Sequence, residues 1–522
     1  MKFWKKKKMM GTNEKVPFEN KNEHLYNLPT DINQYLHELN KEFGNSADIV
    51  IRRFELGSDK QISAALVYTD GLANNKEISD FFKVLLKDFP QKNITVSINK
   101  YIQDHLLIFG DVKEVHSKTE VYNEILRGSV AIIIAEESTT LIVGTKGWES
   151  RAIAEPENEM TIRGPREGFN ENIRTNTALV RRKIPSTKLR YEQKYIGTLT
   201  ETAVGIMYIK GIVNPKIVEE VKRRLNRIEI DSILESGYIE ELIQDSTFSL
   251  FPTVYNTERP DKVASELLQG KVAIFVDGTP FVLIVPVSIA MYFQAGDDYY
   301  LRFPIGSFLR ILRIATFFIA TTLPSFYVAV TTYHRELIPT TLLVRLAAQR
   351  EGIPFPAIIE AFLMEITFEI LREAGLRMPK SIGQAVSIVG ALVLGTAAVD
   401  AGIVSAAMVI IVAMTAISNF TTPGYDMAIA SRIIRFILLV LAGTLGLFGM
   451  LFGLILFVIH LSSLRSFGIP YLAGIAPMNL SDQKDIFVRV PWFWMKRRPY
   501  LFSQKDQVRE ESTSPHPPKK NE

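Results

Sequence analysis

The sequence predicts an α/β (or α+β) cytoplasmic region of two subdomains, followed by an all-α polytopic membrane bundle. Three observations carry that prediction. Apolar segments follow one another from Ile305 to Leu464 with few charges between them, each near the roughly 20 residues that a helix needs to cross hydrocarbon. Lipid offers no partner to a stray backbone group, so such segments must be packed helices. Ahead of them, strand-like and helix-like patterns alternate, which is the signature of a mixed sheet-and-helix region. Within that region one pattern occurs twice.

Residues 1–40 read as a flexible basic arm, with Lys2 and Lys5 to Lys8 flanking Phe3 and Trp4. No apolar core follows these charges, so the arm does not read as a signal peptide. Residues 41–185 read as the first subdomain. Asp48–Leu56 and Ile62–Tyr68 are β-rich, and Ile78–Phe89 has helical spacing of Phe81, Phe82, Val84, Leu85 and Leu86.

Residues 122–143 align without gaps on 264–285, matching Glu124, Leu126, Gly128, Val130, Ala131 and Ile132 to Glu266, Leu268, Gly270, Val272, Ala273 and Ile274. The pattern is a helix, a glycine cap, a buried strand, a turn and a second strand. Asp277 and Gly278 predict a tight second hairpin, and Glu136-Glu137-Ser138 a looser first one. The second subdomain is expected over 186–304.

Between the copies lies the densest charged motif, Arg163-Gly164-Pro165-Arg166-Glu167-Gly168, followed by Arg174, Asn176, Arg181, Arg182 and Lys183. Guanidinium groups beside glycine-rich backbone suit a phosphate or carboxylate. Equally, the arginines suit acidic partners between subdomains or protomers. With Asp277 and Gly278 this motif is the candidate for assembly and coupling.

The bundle is expected over 305–465, with five or six helices near 311–331, 357–374, 382–399, 403–420, 428–446 and 447–464. The last two form one apolar run, where Gly443, Gly446, Gly449 and Gly453 allow a tight reversal or close helix contact. Arg310, Arg313, Arg377, Lys380, Arg432, Arg435 and Arg465 place both ends and the large N-terminal region in the cytoplasm. The segment 332–356 carries Arg335, Arg345 and Arg350 against that rule and reads as an amphipathic surface helix starting near Pro339. Residues 466–522 read as a cytoplasmic tail, disordered after about 500. Its Trp492, Phe493 and Trp494 precede Lys496, Arg497 and Arg498, a pattern suited to an anionic membrane face.

One predicted helix is unusual. It carries Glu360, Glu365, Glu369 and Glu373, the last three within about 80° of one another at helical spacing. Carboxylates at membrane depth must face protein or water. One reading makes Glu360, Glu365 and Glu369 a cation-attracting path through an oligomeric pore. The other makes the helix interfacial, with Glu373 near Arg377.

Composition narrows the function classes. Lys and Arg number 60 against 56 Asp and Glu, a net +4 that does not point to nucleic acid, and there is no cysteine for thiolate chemistry. The seven histidines are scattered, and no nucleophile–base arrangement can be placed. An enzyme is not expected, nor a metal site or a cofactor.

Several ordered motifs are similar to the A subunit of bacterial spore germination receptors, the GerA family. They include Arg163–Phe169, Arg174–Thr177, Asn256–Asp261, Asp277–Val287, Gln349–Pro356, Glu365–Leu376, Pro379–Gly390 and Ser463–Tyr471. The resemblance covers about residues 40 to 500. It implies a multi-pass subunit of a nutrient receptor in the spore inner membrane, in contact with membrane lipid. Its implied partners are a transporter-like B subunit, a lipoprotein C subunit and further copies of itself. The resemblance further implies a homo-oligomer that conducts ions when nutrient is sensed. A non-conducting scaffold and a secondary transporter are the alternatives; the broken mid-membrane helices that a transporter favours are not evident.

Overall fold

Alternating apolar residues build two five-stranded antiparallel sheets, each covered by helices on both faces. The computed structural model describes residues 28–57, 62–87, 97–106, 111–147, 155–156, 159–379, 395–479, 482–503 and 506–509. The chain forms two compact units, one of residues 1–45 and 49–147, the other of 46–48 and 148–522.

In the first unit the order is α1 (Ile32–Phe43), β1 (Ile49–Leu56), β2 (Ile62–Thr69), α2 (Asn75–Lys87), α3 (Ile98–Tyr101), β3 (Val112–Val115), α4 (Lys118–Leu126), β4 (Val130–Ile134) and β5 (Thr140–Val143). The sheet order is β1-β2-β4-β5-β3. Strand side chains alternate between faces. Val130, Ile132 and Ile134 therefore join one buried cluster with Phe81 and Leu85 of α2, while Ala131 and Ile133 join another with α1 and α4.

The second unit repeats the plan with α5 (Ile173–Lys183), β6 (Leu189–Ile196), β7 (Thr202–Ile209), α6 (Pro215–Asn226), α7 (Ser236–Ile243), β8 (Tyr255–Thr257), α8 (Pro260–Leu268), β9 (Val272–Val276) and β10 (Val282–Val285). Its order, β6-β7-β9-β10-β8, matches strand for strand. Registers match as well: Val130 faces Val143 as Val272 faces Val285, and Ile132 faces Leu141 as Ile274 faces Leu283. Gly128 and Gly270 both cap their helices at positive φ, 90° and 95°, where a side chain would be strained. Antiparallel pairing throughout makes the N-terminal region α+β, of the two classes expected.

Three expectations need correction. The arm reaching to residue 40 overlaps α1, which starts at Ile32 because Asp31 caps it by accepting from the Asn33 amide at 2.9 Å; residues 1–27 lie outside the described residues. The division near 185 falls instead after Gly147, since the segment through α5 packs into the second unit. The two repeat hairpins do not differ in tightness, because each spans the gap left between 134 and 140 or 276 and 282.

The helical region belongs to the second unit. After α9 (Asp297–Tyr300) come α10 (Phe303–Thr332), α11 (Thr340–Arg350), α12 (Ala357–Arg377), α13 (Gly395–Asp400), α14 (Ala406–Asn419) and α15 (Tyr425–Ser463). Among the described residues, α10 and α15 are long and apolar enough to cross a membrane. At 14 residues α14 is short of a span, whereas α12 is long enough but charged. The segment expected at 382–399 lies largely outside the described residues. Pro339 does open α11.

Within α15 the chain reverses at Gly446 (φ 64°, ψ −146°). A Cβ on Gly453 would stand 2.7 Å from Leu438 Cδ2, and one on Gly449 would overlap the Leu441 carbonyl. Eight residues along a straight helix cover about 12 Å, so the two halves fold back as a hairpin whose small residues permit contact. The Tyr333 hydroxyl, from the end of α10, donates toward the freed carbonyls of Gly443 and Thr444 at 2.9 and 3.0 Å.

Past residue 500, expected to be disordered, residues 506–509 pair back on the tail: the Arg498 and Arg509 amides donate to the Gln507 and Lys496 carbonyls.

Candidate functional site

Two polar clusters stand out, one where the second sheet meets the helices and one among the helices themselves. The first is built on Asn256–Asp261, at the edge strand β8 and the start of α8. The Asn256 amide donates to Asp426 in the first turn of α15 at 2.7 Å. Thr257 and Tyr255 donate to Glu159, and Arg259 holds the Glu159 and Pro165 carbonyls at 3.1 Å. Asp261 accepts from the Tyr300 hydroxyl at 2.5 Å and from Arg259 at 2.8 Å. One short segment thus ties the strap 159–167, the α9 turn before α10, and the base of α15 to the sheet.

Glu159, Glu235, Glu240, Asn256, Tyr292 and Asp426 line a cavity of about 410 Å³ beside this segment. Burial, and then the charge of Asp426, push the Glu240 carboxyl up to about 7. Burial also holds Glu159 above the usual carboxylate range, against the hydroxyls of Thr257 and Tyr255. Three further contacts bind the sheet side to α15 and to the turn that follows it. Ser249 meets His460 at 3.0 Å, Asp245 accepts from the Phe467 amide at 2.7 Å, and Phe251 packs edge-on against Phe457. At the foot of α10, Arg310 and Asp298 are fully buried and paired at 3.0 Å, with Arg313 and Asp485 completing the cluster.

The second cluster is the acidic face of α12. Glu360 is buried and accepts from the amide and hydroxyl of Ser405, the N-cap of α14. A carboxylate there complements the helix dipole, and Arg350 stands 3.9 Å away. Glu365 is buried and pairs with Arg435 at 3.0 Å; Glu369 bridges Arg435 and Arg432 at 3.1 and 3.0 Å. Glu373 pairs with Arg377 at the exposed end. Within one chain, then, the three candidate path residues face cations and a helix cap. Arg432 and Arg435 entered the sequence analysis only as topology markers. Their spacing of three within an apolar run, opposite Glu365 and Glu369 at a spacing of four, was the available signal for a partner face.

The residues of the candidate assembly motif make a network of contacts within the chain. Gly164 has φ 148° and lies against the Tyr300 ring. Arg163 donates its amide toward Asp297 at 3.3 Å, Arg166 meets Glu155, and Glu167 pairs with Arg182 and Lys183. The Asn176 side-chain amide accepts from the Asn170 N–H at 2.9 Å and donates to the Asn170 carbonyl at 2.6 Å. Asp277 accepts from the first amide of α5, Ile173, at 3.0 Å, and the Gly278 amide donates to Glu171. Arg174 follows in the first turn of the same helix, its amide donating to the Asn172 cap at 2.9 Å. Gly168 leads into Phe169, whose ring packs edge-on against Phe275. The motif therefore docks α5 on the repeat hairpin, and Arg181, fully buried, reaches Asp48 at 2.8 Å. Among the described residues no group of three or more His, Cys, Asp or Glu is placed to hold a metal ion.

The Bacillus/Clostridium GerA spore germination protein profile matches residues 37–501. Spore germination protein KA of Bacillus subtilis (strain 168) is 48% identical over 474 residues, covering 91% of this chain and 87% of that protein. The uncharacterized membrane protein YfkQ of the same organism is 48% identical over 461 residues, covering 88% of each. A crystal structure of the N-terminal domain of the A subunit of the Bacillus megaterium spore germinant receptor GerK3 aligns at 40% identity and a TM-score of 0.40, covering 50% of this chain and 96% of that one. With a profile spanning most of its length and relatives of this identity, the chain belongs to the GerA family of spore germination proteins.

Proposed function

We propose that the chain is the membrane-embedded A subunit of a nutrient-responsive germination receptor, and that copies of it assemble into an ion channel that opens when nutrient is sensed. A transporter-like B subunit and a lipoprotein C subunit are its partners, and its N-terminal region lies in the cytoplasm of a multi-pass spore inner-membrane protein. No catalytic step is assigned to it. The carrying observation is the junction at Asn256 and Asp426: a sheet edge is hydrogen-bonded to the base of an apolar helical hairpin in the same compact unit. Movement of the soluble region is thereby transmitted to helices long enough to span a bilayer.

A second reading, a non-conducting scaffold, is favoured by one observation. The carboxylates proposed to form the path are ion-paired within the chain. Conductance across liposomes carrying the purified chain with its partner subunits separates the two. A nutrient-dependent cation current altered in Glu365→Gln/Glu369→Gln supports a channel with these residues on its path. An oligomer that carries no current under any nutrient tested supports the scaffold.

A further inference from the structure

The C-terminal tail builds a cationic cleft at the foot of α10 that the coupling scheme leaves unused. Residues 496–498 lie antiparallel to 507–509, with Arg497 bridging Val508. This pairing consumes Arg498, which holds Asp506 at 3.0 Å and the Leu268 and Val508 carbonyls at 2.8 and 2.7 Å. Its neighbours Lys496 and Arg497 turn instead to a cavity of about 300 Å³, together with Lys484, Arg509 and the Trp494 indole. Among the described residues none of those four cations forms an ion pair with a carboxylate. Asp482 and Asp485 also line the cavity; Asp485 is committed to Arg310 at 2.9 Å and to the Tyr299 hydroxyl at 2.9 Å, and Asp482 to Asn479 at 3.1 Å. Arg509 also lies over the Trp492 ring at 5.0 Å and acts electrostatically on Asp485, yet the four cations outnumber the two carboxylates and leave the cavity net positive.

Its position identifies the source of the anion. The segment leading into it is fastened to the first turns of α10, where Ser307 Oγ donates to the Arg489 carbonyl at 2.8 Å. Around that point Phe308 is 65% exposed, Trp494 56% and Phe487 44%, while the Trp492 ring lies tilted against Tyr299 with centroids 5.9 Å apart. Aromatic side chains left open beside the end of a membrane-length helix mark the headgroup level of a bilayer, and clustered cations there meet anionic lipid.

We propose that Lys484, Lys496, Arg497 and Arg509 bind the phosphate of an anionic phospholipid headgroup, with Trp494 at the interface. The site fixes the foot of α10, and through Asp485 the buried Arg310–Asp298 pair, to the cytoplasmic leaflet. This rests on the membrane placement proposed above.

The test uses the full chain in vesicles of zwitterionic lipid doped with a quencher-tagged lipid bearing either a phosphoglycerol or a phosphocholine headgroup. Tryptophan fluorescence is followed in wild type, in Lys496→Gln/Arg497→Gln and in Lys484→Gln/Arg509→Gln. Wild type should be quenched preferentially by the anionic lipid. Each double variant should need roughly 25-fold more of it, about fivefold per cation removed, with circular dichroism unchanged. Equal quenching by both lipids in a chain that resists alkaline extraction would overturn the site and leave the membrane reading standing. A chain that is extracted would overturn both. Millimolar inorganic phosphate abolishing the preference would assign the site to free phosphate instead and overturn the lipid.

Discussion

At the scale of single residues, buried charge governs the helical region. Glu365 and Arg435 are both essentially inaccessible, and two such ions are taken from water at a cost that mutual attraction offsets only when both are present. Arg435→Met therefore strands Glu365 and should destabilise the chain by about 3–5 kcal/mol, read as a fall in thermal midpoint in detergent. Glu365→Gln/Arg435→Met should recover most of the loss. If the double variant is no better than the single, the pair does not carry the interaction. The sequence displayed these four carboxylates plainly, and Arg377 beside Glu373 on the same helix, but not the partners of the other three, because helical periodicity orders residues along one helix and says nothing about which helix faces it. Arg181 illustrates the same limit: it was read within a charged motif suited to an anion or to acidic partners between subdomains or protomers, and the structure makes it one of the most buried side chains among the described residues, paired with Asp48.

At the scale of elements, the hairpin of α15 depends on a backbone conformation open to glycine. Gly446 sits at φ 64°, ψ −146°, and a Cβ there would stand 2.8 Å from His334 Cε1 and 3.0 Å from Tyr333 Cβ. Backbone strain of this kind costs on the order of 1–3 kcal/mol for a residue other than glycine, before any clash. Gly446→Ala should therefore lower the yield of folded protein and expose the 440–450 turn to protease, while Gly468→Ala, with nothing near its Cβ, supplies the comparison at another positive φ. Equal protease resistance of the Gly446 variant and wild type would contradict the reversal. This element was legible in advance, because one apolar run was too long for a single span and held four regularly placed glycines. The repeat was legible for a similar reason, since a buried strand must be apolar on both faces and so leaves a recognisable run. Loop lengths were not: Asp-Gly favours a two-residue turn, but docking on α5 decides how the Asp277 loop closes.

At the scale of the whole molecule, the junction cavity makes stability depend on pH. Glu240 faces Asp426, Glu235 and the Asn256 amide, and its folded value of about 7 lies above the ordinary 4.5. Between those values the folded chain holds a proton that the unfolded chain has released. The contribution of Glu240 to stability is thus full below about pH 4.5 and falls as pH rises toward 7, by about 1.4 kcal/mol per unit at most. Denaturant midpoints measured from pH 5 to 7 should decline in wild type and flatten in Glu240→Gln. Parallel slopes in the two proteins would remove Glu240 as the cause.

By itself the sequence determined a mixed sheet-and-helix region with its internal repeat, the apolar helical region after it, a last run too long for one span, and the family. Each of these is written in local composition and period, or in long ordered motifs. Only the tertiary structure decided that both sheets share one strand order and register. It alone showed that Asn256 joins Asp426, that the α12 carboxylates meet Arg432, Arg435 and Ser405, and that the tail returns to form a cationic cleft. Those facts depend on which distant segments pack together, and packing is chosen by shape and charge complementarity across the whole chain.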